Sequence, residues 1–166
     1  PNLPVQFVRV DLASSYIHMR EIEVWANGVN VALNKPATQS TDYSASYTAP
    51  LSNNGDRMMG TGTTACSGIA CYAHTASDGS QKDSWWQVDL GSAMVIDRII
   101  IYNVNQQPTR IQHAVLSAVA ADGITPIRIF ALNDDDIQLH FMEPWLDHSQ
   151  NVPIAAVPIE NYGTLD

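Results

Sequence analysis

The stretch Ser84-Trp-Trp-Gln-Val-Asp-Leu-Gly91 limits the folds open to this chain more than any other. Side chains on a strand alternate faces, which puts Trp86, Val88 and Leu90 on one side and Trp85, Gln87 and Asp89 on the other. Burying a tryptophan removes about 150–250 Å² from water. Trp86 is therefore expected to anchor an interior between two sheets, while Trp85 looks the opposite way. Nothing in the segment has the spacing of a catalytic motif, and it reads as a core strand ending at Gly91.

The rest of the chain repeats that pattern. Val5–Leu12 and Met19–Trp25 alternate as strands; in the second, Ile22 and Val24 go one way and Glu21, Glu23 and Trp25 the other. Asn27-Gly28 ends it, and residues 31–40 run extended, with Pro36 barring a central position in a sheet. Further strands are expected at Val95–Asn103, Ile111–Ala120, Ile127–Leu132 and Ile137–Met142. Asn105 to Thr109 forms a loop, and Asp122-Gly123 and Asn133–Asp136 form turns. Residues 41–83 lack periodicity, and a loop of that length in a compact domain is usually functional or held by a metal or disulfide. With no amphipathic helix in sight, about seven or eight strands joined by polar turns make an all-β antiparallel β-sandwich. Residues 1–146 are assigned to that domain and 147–166 to a C-terminal tail or linker.

Composition narrows the partners. The net charge is −9 with only eight lysines and arginines, so there is no basic patch for nucleic acid or for an anionic membrane surface. No apolar run reaches the roughly 18 residues of a membrane span. Neutral ligands and divalent cations remain. Cys66 and Cys71 are not in a Cys-x-x-Cys redox spacing. A local disulfide is expected, with free thiols as the alternative; a loop that short would add about 2 kcal/mol of stability and place the domain outside the cell or at its surface. The five histidines have no zinc-site spacing, and no nucleophile, Walker or dinucleotide motif occurs.

Four blocks together resemble one family: Asn30–Ser40, Ser52-Asn-Asn-Gly-Asp56, Ser84–Gly91 and Ile96–Asn103. The chain is similar to discoidin (coagulation factor C-type) domains, the galactose-binding-like jelly roll, and within them most similar to the F-type lectins and related carbohydrate-binding modules. The resemblance covers roughly residues 5–142. It implies a non-catalytic domain that binds a neutral saccharide such as fucose or galactose on loops at one end of the sandwich, with a structural calcium nearby.

Carried onto this chain, the resemblance makes His74-Thr75 the lectins' His-Thr pair and Arg110 the later of two sugar-binding arginines. Val104 stands where the earlier one is often found. Asn105 and Gln106 supply amides on the same loop, and Tyr72 or Trp85 an aromatic face, with core packing as the alternative for the last two. The Ser52–Asp56 loop offers calcium oxygens at Asn54 and Asp56; an ordinary Asx turn is the alternative. The family's acidic closing strand appears early, as Glu21-Ile-Glu-Val-Trp25, which suggests permuted strands and adds Glu21 to the calcium set. Glu21 and Glu23, about 6–7 Å apart along the strand, read first as like charges on an exposed edge; a glycosidase pair is the alternative. Asp134–Asp136 reads as a solvated turn. A competing assignment is a structural or adhesion module that binds protein surfaces or copies of itself.

Overall fold

The computed structural model describes residues 3–13, 15–57, 71–76, 83–104, 108–132 and 138–142. Among them the chain is almost wholly antiparallel β-sheet, with two short 3-10 turns at Ala49–Ser52 and Pro108–Ile111. The strands are β1 (Val5–Ala13), β2 (His18–Met19), β3 (Glu21–Ala26), β4 (Val29–Asn30), β5 (Ala37–Gln39), β6 (Ala73–His74), β7 (Asp83–Met94), β8 (Arg98–Tyr102), β9 (Ala114–Val119), β10 (Pro126–Leu132) and β11 (Gln138–Met142). They form a five-stranded sheet in the order β10-β9-β1-β7-β5, a four-stranded sheet in the order β11-β8-β3-β4, and a small ladder of β2 with β6.

Alternation built this arrangement. Val8, Val10 and Leu12 of β1, Trp86, Val88 and Leu90 of β7, and Leu116 and Ala118 of β9 point inward. They share one continuous core with Ile22, Val24, Ile99 and Ile101 of the four-stranded sheet. Trp86 is fully buried, and its indole N–H donates to the Ala49 carbonyl at 3.0 Å, so its one polar atom is satisfied. That bond also ties the start of the 49–57 loop to the core. Asn27 and Gly28, with φ of 50° and 77°, join β3 to β4 as a two-residue hairpin, for which Asn-Gly is the favoured pair. Pro36 lies just outside β5, an edge strand, where its missing N–H removes no ladder bond.

Several boundaries differ from expectation: the strand expected over Met19–Trp25 breaks at Arg20 into β2 and β3, and residues 31–34 form a turn where an extended run was expected. β7 does not end at Gly91 but runs on to Met94. Val95 to Asp97 precede β8 rather than opening it, and Val95 is exposed. Ile111 ends a 3-10 turn instead of starting a strand; Pro108 begins that turn, and the Asn103 side chain clasps it by donating to the Pro108 carbonyl at 2.9 Å. Arg110 therefore sits on a turn. In the four-stranded sheet β8 lies between the early acidic strand β3 and the late strand β11. Asn105, Gln106, Cys66, Asp134–Asp136 and the proposed tail 147–166 lie outside the described residues.

Candidate functional site

Two segments cross beside the core and carry the chemistry. In Tyr16-Ile-His-Met19 the apolar side chains Ile17 and Met19 are buried in the core, leaving Tyr16 and His18 on the opposite side of the alternation. In the second segment, Tyr72-Ala-His-Thr75, Ala73 takes the inward place. The β2–β6 ladder pairs His18 directly with His74. Thr75 locks this crossing: its hydroxyl accepts the Ile17 N–H at 2.8 Å and donates to Ser84 Oγ at 3.0 Å, and Ser84 in turn donates to the Ser15 carbonyl at 2.7 Å. The 43–47 loop is held on the other side, where Tyr43 N–H donates to the His74 carbonyl at 2.9 Å. The Gln39 amide donates to the Tyr47 carbonyl at 2.8 Å and to the His74 carbonyl at 3.2 Å.

The result is a compact group of rings under one guanidinium. The His18 and His74 ring centroids are 3.7 Å apart. Tyr43 stacks on His74 at 4.4 Å and Tyr16 at 5.3 Å, and Tyr72 lies 5.5 Å from His18 and 5.2 Å from Tyr47. Arg110 lies over the Tyr16 ring at 4.6 Å, and its Nη1 is 2.8 Å from His18 Nε2. Both histidines are buried, whereas Tyr43 is 52% exposed, so the rings form a half-sunk surface rather than a core.

Electrostatics sets the protonation. An arginine can only donate, so the His18 nitrogen it faces must be an acceptor, and the ring is neutral. Burial pushes the His18 pKa down to about 3, helped by His74 and by the Arg110 charge. Burial also lowers His74, with Arg110 adding to the effect against the opposing pull of the Thr75 carbonyl. His74 Nδ1 donates to that carbonyl, which leaves Nε2 as a lone-pair acceptor in the neutral ring. Burial, and then Tyr47, raises the Tyr72 phenol, which stays protonated. Two neutral imidazoles, phenol hydroxyls, aromatic faces and a fixed guanidinium together can bind a polyhydroxylated ring through hydroxyl bonds and C–H contacts.

Of the sequence-derived ligand residues, His74, Arg110 and Tyr72 meet here. Trp85 does not join them: it lies on the outer face of the five-stranded sheet, half-buried beneath Arg9 at 4.5 Å. Tyr16, His18, Tyr43 and Tyr47 were not foreseen. For Tyr16 and His18 a signal existed, the alternation around Ile17 and Met19.

The acidic residues form a second centre. Glu21 and Glu23 are not on an exposed edge: β3 is an inner strand, and both carboxylates are buried beneath residues 53–57. Glu23 is bound by Arg57 and by the Trp25 indole N–H, the latter at 2.9 Å. Glu21 Oε1 accepts the Gly55 N–H at 2.9 Å. Burial, opposed by the Gly55 and Asn54 amides and aided by Glu23 and Asp56, pushes the Glu21 pKa up to about 7. Gly55 has φ +86°, and a Cβ there would come within 3.1 Å of the Leu33 side chain, so only glycine suits this turn. Asn54 Oδ1 accepts the Asp56 N–H at 2.8 Å, an Asx turn. Asp56 pairs with Arg20 at 2.7 Å. Glu21 Oε2 and Asn53 Oδ1 are buried oxygens that accept no hydrogen bond among the described residues. Unsatisfied buried oxygens beside an acidic loop suit an oxygen-seeking cation such as calcium. Among the described residues no group of three or more histidine, cysteine, aspartate or glutamate side chains is arranged to hold a metal, so backbone and amide oxygens would have to complete a calcium shell. Cys71 is disulfide-bonded.

No family model, curated protein or solved structure matches the chain. Among the described residues no helix is long and apolar enough to cross a membrane.

Proposed function

We propose that the chain is a non-catalytic, lectin-like domain of the galactose-binding jelly-roll type that binds a saccharide at the His18–His74–Arg110 cluster. Convergence of two neutral histidines, an arginine and four tyrosines from four separate segments carries this assignment. A neutral sugar such as fucose or galactose suits it. Hydroxyls would donate to His74 Nε2 and accept from Arg110, while Tyr43, the most exposed ring, would cover the apolar face of the sugar. The acidic pair is turned to structural use, with Glu23 bound to Arg57 and Glu21 buried, which supports binding rather than hydrolysis.

Calcium is assigned to Glu21, Asn53, Asn54 and Asp56, where it would supply the positive charge that neutralises the buried carboxylate. A disulfide between Cys71 and Cys66, the chain's other cysteine, and an extracellular or cell-surface location belong to the same proposal. A glycan array run with and without chelator tests it, alongside His74→Ala and Arg110→Ala. Selective binding that both variants lose is expected. If no glycan binds, or the variants match the parent, the cluster is not a sugar site.

A further inference from the structure

Arg20 stands between the acidic loop and the ligand cluster. It links β2 to β3, and its backbone N–H donates to the Tyr102 carbonyl at 3.0 Å, which fixes the start of the side chain. The side chain is buried, at 5% exposure. Nη1 donates to the Cys71 carbonyl at 2.6 Å, and Nη2 lies 2.7 Å from Asp56 Oδ2. One guanidinium thus bridges the 53–56 loop to the residue that opens the segment carrying Tyr72 and His74.

A buried charge needs a partner, and Arg20 and Asp56 provide one for each other. A calcium ion drawing Asp56 into its shell would hold that carboxylate at about 2.3–2.6 Å. Guanidinium and ion would then stand within a few ångströms, with like charges in a poorly solvated place. Asp56, at 39% side-chain exposure, has room to change partners; Arg20, fully enclosed, has little. Glu21 Oε2 and Asn53 Oδ1 meanwhile remain buried acceptors without a hydrogen-bond donor among the described residues, even with Arg20 in place.

We propose that Arg20 is the resident counter-cation of this loop: calcium competes with its guanidinium for Asp56, and the exchange is transmitted through the Cys71 carbonyl to the Tyr72–His74 segment. The exchange rests on the calcium assignment above and is independent of any sugar. Arg20 then sets calcium affinity low and ties occupancy of the loop to the geometry of the ligand cluster.

Calorimetric titration of the intact chain with CaCl2, with MgCl2 as control, tests this on wild type, Arg20→Met and Arg20→Lys. Arg20→Met, without the competing charge, is expected to bind calcium on the order of tenfold more tightly. Arg20→Lys, which keeps the charge, stays near wild type. In wild type, calcium should shift the amide NMR signals of Gly55 and Asp56 together with those of Cys71 to Thr75, a measurement that does not depend on either variant folding. Equal or weaker calcium binding by Arg20→Met overturns the exchange, as do wild-type shifts confined to residues 53–56. If no protein of the three binds calcium, the calcium assignment itself falls and the exchange with it; calcium bound with no influence of Arg20 removes the exchange alone.

Discussion

His18 offers a direct test of the buried cluster, because its neutrality couples folding to pH. In the unfolded chain the imidazole titrates near its ordinary value of 6.5, and in the folded protein near 3. The folded state therefore refuses a proton that the unfolded state accepts between those limits. Stability is unaffected above about pH 6.5 and falls progressively as the pH drops toward 3. At about pH 4.5, two units below the unfolded value, the loss is about 3 kcal/mol at about 1.4 kcal/mol per unit. His18 is 5% exposed, so solvent screening removes little of this. Carboxylates add their own acid dependence, but a His18→Gln variant shares it. Glutamine also keeps an acceptor for Arg110 Nη1 and cannot titrate. Urea unfolding at about pH 7.5, 6 and 4.5 should show wild type losing about 3 kcal/mol more than His18→Gln across the range. An imidazole NMR titration should leave His18 neutral to about pH 4. Superimposable pH profiles for the two proteins, or a His18 midpoint near 6.5, would refute the reasoning.

Other consequences are simpler to check. Trp86→Ala should destabilise the fold by about 3–5 kcal/mol in urea unfolding, and a loss under 1 kcal/mol would show that β7 does not anchor the core. Asn53→Ala removes the buried amide that donates to the Ala32 and Lys35 carbonyls, each at 2.8 Å, and should cost about 2 kcal/mol or more. Arg110→Ala should weaken saccharide binding about tenfold or more in calorimetry while leaving the melting temperature within a few degrees. Reducing agent should lower stability by about 2 kcal/mol through loss of the disulfide at Cys71, with alkylated protein as the reference.

Much of the sheet was legible because its signal is local. Alternation in Ser84–Leu90 put Trp86, Val88 and Leu90 in the core and Trp85 on the other face, and in Glu21–Trp25 it set Ile22 and Val24 together on the core side. Pro36 and Asn27-Gly28 marked an edge and a strand end for reasons that need no neighbours. Strand ends were less legible. Whether Ile111 begins a strand or closes a turn depends on the clasp from Asn103 to the Pro108 carbonyl, which periodicity cannot register. The acidic pair on β3 was misjudged for the same kind of reason. Two glutamates on one face suggest water until a loop thirty residues away folds over them and supplies Arg57 and the Gly55 amide.

The candidate site divides along that line. From the sequence alone came the residue types able to bind hydroxyls, His74, Arg110 and Tyr72, and an acidic loop with a glycine that permits a sharp turn. Those are properties of side chains and of short turns, and they travel with the residues themselves. Only the tertiary structure brought His18 against His74, set Arg110 over Tyr16, and buried Glu21, Glu23 and Arg20 in one charged layer. Burial and charge at a distance of a few ångströms decide whether an imidazole is neutral or an arginine is bound, and both arise when segments remote along the chain meet.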